Sequence, residues 1–192
     1  KSRAALDRRH VFSANYIYLL PFFNKQTDLV GKIFGGWQAS GIVTLNTGLP
    51  FTATTSNYDP AGLGLIAPPT TAARANVICN PNQGAPNTQQ QWFNIACFER
   101  NPTTAVALSG NLPGNGGRGI IHGPGTKRVD FTMSKIFGFT ETVKLQFRAE
   151  FFNIFNWVNF RGLQTNVTNA AFGQAISVRD PRTMQFGLKL NF

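Results

Sequence analysis

The clearest hydrophobic pattern stands at the end of the chain. Over residues 183–192 one parity reads Met184, Phe186, Leu188, Leu190 and Phe192, and the other reads Thr183, Gln185, Gly187, Lys189 and Asn191. Successive side chains of a strand point to opposite faces, so this spacing predicts a strand apolar on one face and polar on the other. Residues 143–151 repeat the device, with Val143, Leu145, Phe147, Ala149 and Phe151 against Lys144, Gln146, Arg148 and Glu150. Val129, Phe131 and Met133 alternate with Asp130, Thr132 and Ser134. Trp37, Ala39, Gly41, Val43 and Leu45 alternate with Gln38, Ser40, Thr44 and Asn46, broken by Ile42. Phe12, Ala14, Tyr16, Tyr18 and Leu20 mark a fifth strand, whose other face also carries Val11, Ile17 and Leu19.

The connections alternate in length. Those at 23–34 and 138–142 are short, whereas those at 48–126 and 157–181 are long. Antiparallel strands reverse at each connection, so the long loops share one rim and the short turns the other, the asymmetry of outer-membrane barrels. The strands, about 10 to 13 residues each, match the roughly 9 to 11 that cross the hydrocarbon with a tilt. Trp37, Phe137, Phe139, Phe155, Trp157, Phe160 and Phe192 sit at strand ends, where barrels carry aromatic girdles. An antiparallel sheet closes smoothly with an even count, and five strands leave edges that lipid does not tolerate. The expected architecture is therefore all-β, an antiparallel meander of about five long strands forming a partial wall of a transmembrane β-barrel, with further strands upstream. Lys1 in place of an initiator Met fits a chain broken from a longer polypeptide, so residues 1–192 read as a C-terminal fragment of a barrel domain. Within it, 50–125 is a long external loop region, or a small loop domain, and 181–192 contains the terminal strand.

Composition supports a membrane solvent. Only 14% of residues are charged while 42% are hydrophobic and 18 are Phe, against roughly 25% charged in soluble domains. No apolar run approaches the roughly 18 to 20 residues of a membrane helix, which excludes a helical membrane protein. The net charge of +10 is scattered, at +4 in residues 1–36, +1 in 37–125 and +5 in 126–192. Nucleic-acid binding needs clustered cations and is not expected.

Cys79 and Cys97 lie in a stretch rich in Asn, Pro, Thr and Gln. A disulfide in an oxidising space is the better reading, two unpaired buried thiols the alternative. Gly114, Gly116 and Gly119 spell GxGxxG, but no strand precedes them and Gly123, Pro124 and Gly125 forbid a following helix, so a flexible glycine-rich loop is expected. His10 and His122 have no partners at zinc-site spacing; His10 is expected at the external end of its strand and His122 in a loop. No GxSxG elbow occurs. Asp130 and Glu150 fall on polar faces of adjacent strands, where Arg148, Lys144 and Lys189 are their expected partners. No catalytic residue, metal or cofactor is assigned, and the chain is not read as an enzyme. The expected lumen-facing set is Asp130, Lys144, Gln146, Arg148, Glu150, Gln185 and Lys189; the lipid-facing set of the terminal strand is Met184, Phe186, Leu188, Leu190 and Phe192.

Residues 182–192 resemble the closing strand of bacterial outer-membrane proteins. Further landmarks are Asp7-Arg8-Arg9-His10, Gly36-Trp37, Gly48-Leu49-Pro50-Phe51, Gly114-Asn115-Gly116-Gly117-Arg118, Gly123-Pro124-Gly125, the stretch 147–156 with Asn159-Phe160, and Asp180-Pro181-Arg182. Their order resembles the C-terminal barrel region of TonB-dependent receptors of the Oar-like type, which carry an N-terminal carboxypeptidase-regulatory-like domain. The resemblance covers nearly the whole chain. It implies a 22-stranded barrel in the bacterial outer membrane, with an internal plug, energised through TonB and importing a bulky or scarce substrate. Its implied partners are outer-membrane lipid, upstream barrel strands, the plug and the TonB system. Two rival readings are a barrel serving adhesion or surface assembly, and a soluble extracellular β-sandwich that packs Phe147, Phe186 and Phe192 against a second sheet.

Overall fold

The computed structural model describes residues 3–23, 28–55, 73–99 and 114–192, so the expected loop region 50–125 lies partly outside the described residues. The elements in chain order are β1 (Val11–Leu19), α1 (Leu29–Phe34), β2 (Trp37–Asn46), β3 (Pro50–Phe51), β4 (Thr54–Thr55), β5 (Ala73–Arg74), a 3-10 turn (Ile95–Cys97), β6 (Ile121–His122), β7 (Thr126–Gly138), β8 (Lys144–Phe152), β9 (Phe160–Leu163), β10 (Ala175–Val178) and β11 (Thr183–Asn191). They fall into two compact units: a sheet unit of residues 11–46, 126–158 and 180–192, and a loop unit of residues 1–10, 47–125 and 159–179.

The sheet unit is one five-stranded antiparallel sheet in the order β1-β2-β7-β8-β11. The five strands are those that the alternation predicts. The largest difference is β7, which runs from Thr126 to Gly138 where the pattern marks only 129–134. Register aligns the parities across every junction, because a one-residue slip would turn a strand's apolar set to the polar side. One row joins Tyr16, Gly41, Phe131, Phe151 and Met184 through all five strands. Gly41 is required there: a Cβ would stand 2.3 Å from the Asp130 carbonyl oxygen and 2.7 Å from Tyr16 Oη, so the tyrosine ring covers the gap that the glycine leaves.

β8 ends in a turn built on two asparagines in the left-handed region, Asn153 at φ 52° and Asn156 at φ 51°. Asparagine tolerates this backbone better than other residues with a Cβ. The buried Asn153 donates from Nδ2 to the Trp157 carbonyl (3.0 Å) and accepts from Trp157 N at Oδ1 (3.1 Å), while its own N–H donates to Asp130 Oδ1 at 2.9 Å. Asn156 Oδ1 accepts from Arg182 N at 3.0 Å, tying the start of β11 to the end of β8. Asn153→Ala is expected to destabilise the sheet unit by about 2 kcal/mol, from left-handed strain and lost side-chain bonds. Chemical denaturation of the full-length protein in detergent checks this, with Asn153→Asp retaining more stability than Asn153→Ala.

The loop unit has a core of its own. Phe93, Phe98 and Phe172 meet edge to face with centroids 5.2 to 5.6 Å apart, beside Ile121, Leu163, Val167 and the buried Cys97. Cys79 and Cys97 form a disulfide. β9 and β10 pair as a two-stranded ribbon, and the Phe160 ring lies 5.7 Å from Trp92. Phe160, expected in an aromatic girdle, therefore packs on the loop core. The glycine-rich stretch also corrects its expectation, because it is packed rather than open. A Cβ at Gly114 would stand 1.9 Å from the Arg74 carbonyl oxygen. Asn115 seals the contact by accepting from Val77 N (2.7 Å) and donating to the Val77 carbonyl (3.1 Å).

Candidate functional site

Across β2, β7, β8 and β11 the sheet presents a mainly apolar and a mainly polar face, the polar one also carrying Ile42 and Ile136, while β1 is apolar on both sides through Val11, Ile17 and Leu19. These faces are the strongest candidate for a working surface. On β11, Met184, Phe186, Leu188 and Leu190 stand opposite Phe151, Ala149, Phe147 and Leu145 of β8. They continue through Phe131, Met133 and Phe137 of β7 and Val43, Ala39 and Trp37 of β2 to Phe12, Ala14, Tyr16 and Tyr18 of β1. Leu188 is 70% exposed, Phe186 66%, and Phe192, just past β11, 95%. A soluble sandwich needs these side chains beneath a second sheet, and they are not. Exposed apolar surface of this extent marks contact with a partner or a membrane.

Two lysines interrupt this face, Lys127 near one end and Lys135 near the other. Lys135 stands between Trp37 and Phe147 in register, is only 2% exposed, and lies 4.9 Å from the Phe137 ring centroid. The alternation overlooks it because the apolar parity of 129–134 stops one residue earlier. Trp37, Phe137 and Phe147 at the same parity are the available signal.

The opposite face carries the polar set. Rows run Ser40, Thr132, Glu150, Gln185 and Gln38, Ser134, Arg148, Gly187, with Gln146 facing Lys189 and Lys144 facing Asn191. The set expected to share a lumen, Asp130, Lys144, Gln146, Arg148, Glu150, Gln185 and Lys189, thus lies on one side of the sheet. Two adjoining grooves mark this side, one between Gln38, Thr132 and Arg148, the other between Arg148, Gln185 and Lys189.

The ion pairs differ in part from expectation. Glu150 pairs with Arg148 at 3.4 Å. Asp130 pairs instead with Arg128, whose Nε donates to its two oxygens at 2.7 and 2.9 Å. Arg128 is two residues away on the same face, so its guanidinium reaches Asp130 without crossing a strand. Each carboxylate is held by a cation, which suits a hydrated wall of donors and acceptors. Surface pairs of this kind contribute little stability, about 1 kcal/mol or less.

In the loop unit, His122 lies in β6 opposite Pro50, a strand position where a loop is expected. Partial burial, then the charges of Arg3 and Arg9, lower its pKa from the ordinary 6.5. The unfolded chain therefore takes up this proton first as pH falls below about 6.5, so the loop unit loses stability on acidification in that window. The side chain is largely exposed, so the effect is small. Protease resistance of the loops between pH 8 and pH 5 is expected to fall less steeply in His122→Gln than in the wild type. Among the described residues no three of His, Cys, Asp and Glu gather in a manner suited to a metal.

The two-faced sheet and the separately packed loops agree with what comparison finds. The profile of a family described as an outer membrane beta barrel domain matches residues 1–185. No match was found among curated proteins or among solved structures.

Proposed function

Because the chain belongs to the outer membrane beta barrel domain family, and so to the bacterial outer membrane, we propose that its sheet is a stretch of the wall of a TonB-dependent transporter. In this reading Met184, Phe186, Leu188, Leu190 and Phe192 meet lipid. Asp130, Lys144, Gln146, Arg148, Glu150, Gln185 and Lys189 line a watery lumen, and a bulky or scarce substrate passes beside them. The observation that carries the lipid-facing reading is the apolar parity kept in register across four strand junctions, interrupted at Lys127 and Lys135 and widely exposed along β11. Transmembrane barrels alternate apolar-out and polar-in in this way. Among the described residues no strand pairs with the outer edges of β1 and β11. Backbone groups cannot remain unpaired in hydrocarbon, so further strands of the whole barrel complete the wall.

The loop unit captures substrate, its shape fixed by the Phe cluster and the Cys79–Cys97 bridge. An internal plug then moves under TonB; plug and TonB enter through the family resemblance. A second reading, adhesion or surface assembly, draws on the same loop unit, since loops with a core of their own also make a stable contact surface. Co-purification of the full-length protein with the C-terminal domain of TonB separates the two. The transporter reading expects a stable complex; a folded, membrane-inserted barrel that does not bind TonB overturns it in favour of the second.

A further inference from the structure

We infer that α1, in the connection between β1 and β2, is a second membrane contact, an anchor whose apolar side chains enter the phospholipid acyl chains of the periplasmic leaflet, pinned to the sheet by Lys135. α1 reads Leu29, Val30, Gly31, Lys32, Ile33, Phe34, and Asp28 caps it by accepting from Gly31 N at 3.3 Å. At 100° per residue, Leu29, Val30, Ile33 and Phe34 share one arc and Lys32 lies off it. The arc is exposed, Leu29 at 75% and Phe34 at 59%, as is Phe22 earlier in the connection at 62%, while Gly31 is buried. The helix thus turns its backbone side to the protein and its apolar side away, which water disfavours.

Lys135 fixes where the end of α1 sits. Register places it on the apolar face, and its ammonium donates to the carbonyls of Ile33, at 3.0 Å, and of Gly35. Trp37, on the same face, donates from its indole N–H to the Ile33 carbonyl at 3.1 Å. These acceptors are at the C-terminal end of α1, where carbonyls lack helical partners and the helix dipole favours a cation. The helix end is therefore bound to the apolar side of the sheet, and the carbonyls let a lysine stand among Trp37, Phe137 and Phe147 without a bare charge. The end of α1 thus meets the face that membership of a barrel family sets against lipid. The connection also lies at the short-turn end of the strands, the periplasmic end in such barrels, where phospholipid supplies both acyl chains for Ile33 and headgroups for Lys32.

The inference rests on the lipid-facing reading of the sheet, and its test separates the two. Nitroxides are placed at Leu29→Cys, Lys32→Cys, Ile33→Cys, Leu188→Cys and Lys189→Cys in the full-length protein, in vesicles of phosphatidylethanolamine and phosphatidylglycerol. Collision with oxygen, which partitions into lipid, is compared with collision with a water-soluble nickel chelate. Expected is a several-fold excess of oxygen over nickel contact at Leu29, Ile33 and Leu188, reversed at Lys32 and Lys189. Nickel contact at Leu29 and Ile33 equal to that at Lys32, with Leu188 still oxygen-rich, overturns the anchor alone; so does shielding of both positions from both reagents, which means that protein covers them. Nickel contact at Leu188 overturns the reading of the sheet itself. Lys135→Met is expected to weaken the contrast at Ile33, and an unchanged contrast in a folded variant overturns the role of the lysine as the pin.

Discussion

Phe186→Arg is expected to remove most of the folded barrel from the outer membrane, whereas Gly187→Ser, one residue on, leaves it at wild-type level. Phe186 sits midway along β11, opposite Ala149, with its ring 6.2 Å from that of Phe151. In the proposed orientation its side chain enters the middle of the hydrocarbon, where an arginine on a barrel's lipid face costs about 2 to 4 kcal/mol. Loss of the aromatic contact adds roughly 0.5 to 1.5 kcal/mol. Gly187 belongs to the other parity, and a Cβ there meets nothing within 4 Å. A serine hydroxyl at that point enters water. The heat-dependent shift of the folded barrel on a gel reads both variants, and equal loss in the two would remove the distinction between faces.

The second large effect lies in the loop unit. Replacing Cys79 and Cys97 together by serine is expected to cost that unit about 3 kcal/mol, the chain-entropy value for a closed loop of this size, given a separation of 18 residues. Cys97 is also 1% exposed within the Phe cluster, so serine adds a polar group to an apolar site. Limited proteolysis should then cut between 79 and 97 in the intact, membrane-inserted protein, with the sheet's heat-dependent shift unchanged. Wild-type resistance of that segment under reducing conditions would mean that the Phe cluster alone holds it.

The strands were legible because a half-exposed sheet imposes a period of two, and five stretches of this chain keep it with few exceptions. Where an exception carries a role, the period misleads. Lys135 breaks the apolar parity of β7, so the pattern stops short of the strand's true end and of the residue that ties α1 to the sheet. Asp130 shows a second limit: parity says which face a side chain occupies, but rotamer and reach decide that Arg128, rather than a cation across the sheet, pairs with it. The loop unit was least legible. Its core depends on a few scattered residues, Phe93, Phe98 and Phe172, and on side chain to backbone bonds such as those of Asn115, none of which has a period. The disulfide was inferable from two cysteines in a polar stretch; the tight seat of Gly114 on the Arg74 carbonyl was not, since glycine spacing alone reads equally as an open loop.

The central claim is that the two parities of the sheet meet different solvents. Cysteine replacement of residues 184–191 one at a time, followed by reaction with a charged maleimide on the full-length protein embedded in outer membranes, tests it most directly. The account predicts a two-residue rhythm, with Gln185, Gly187, Lys189 and Asn191 labelled and Met184, Phe186, Leu188 and Leu190 protected until the membrane is dissolved and the protein is unfolded in denaturant. Labelling that is uniform along β11, or strongest at the apolar positions, would contradict it.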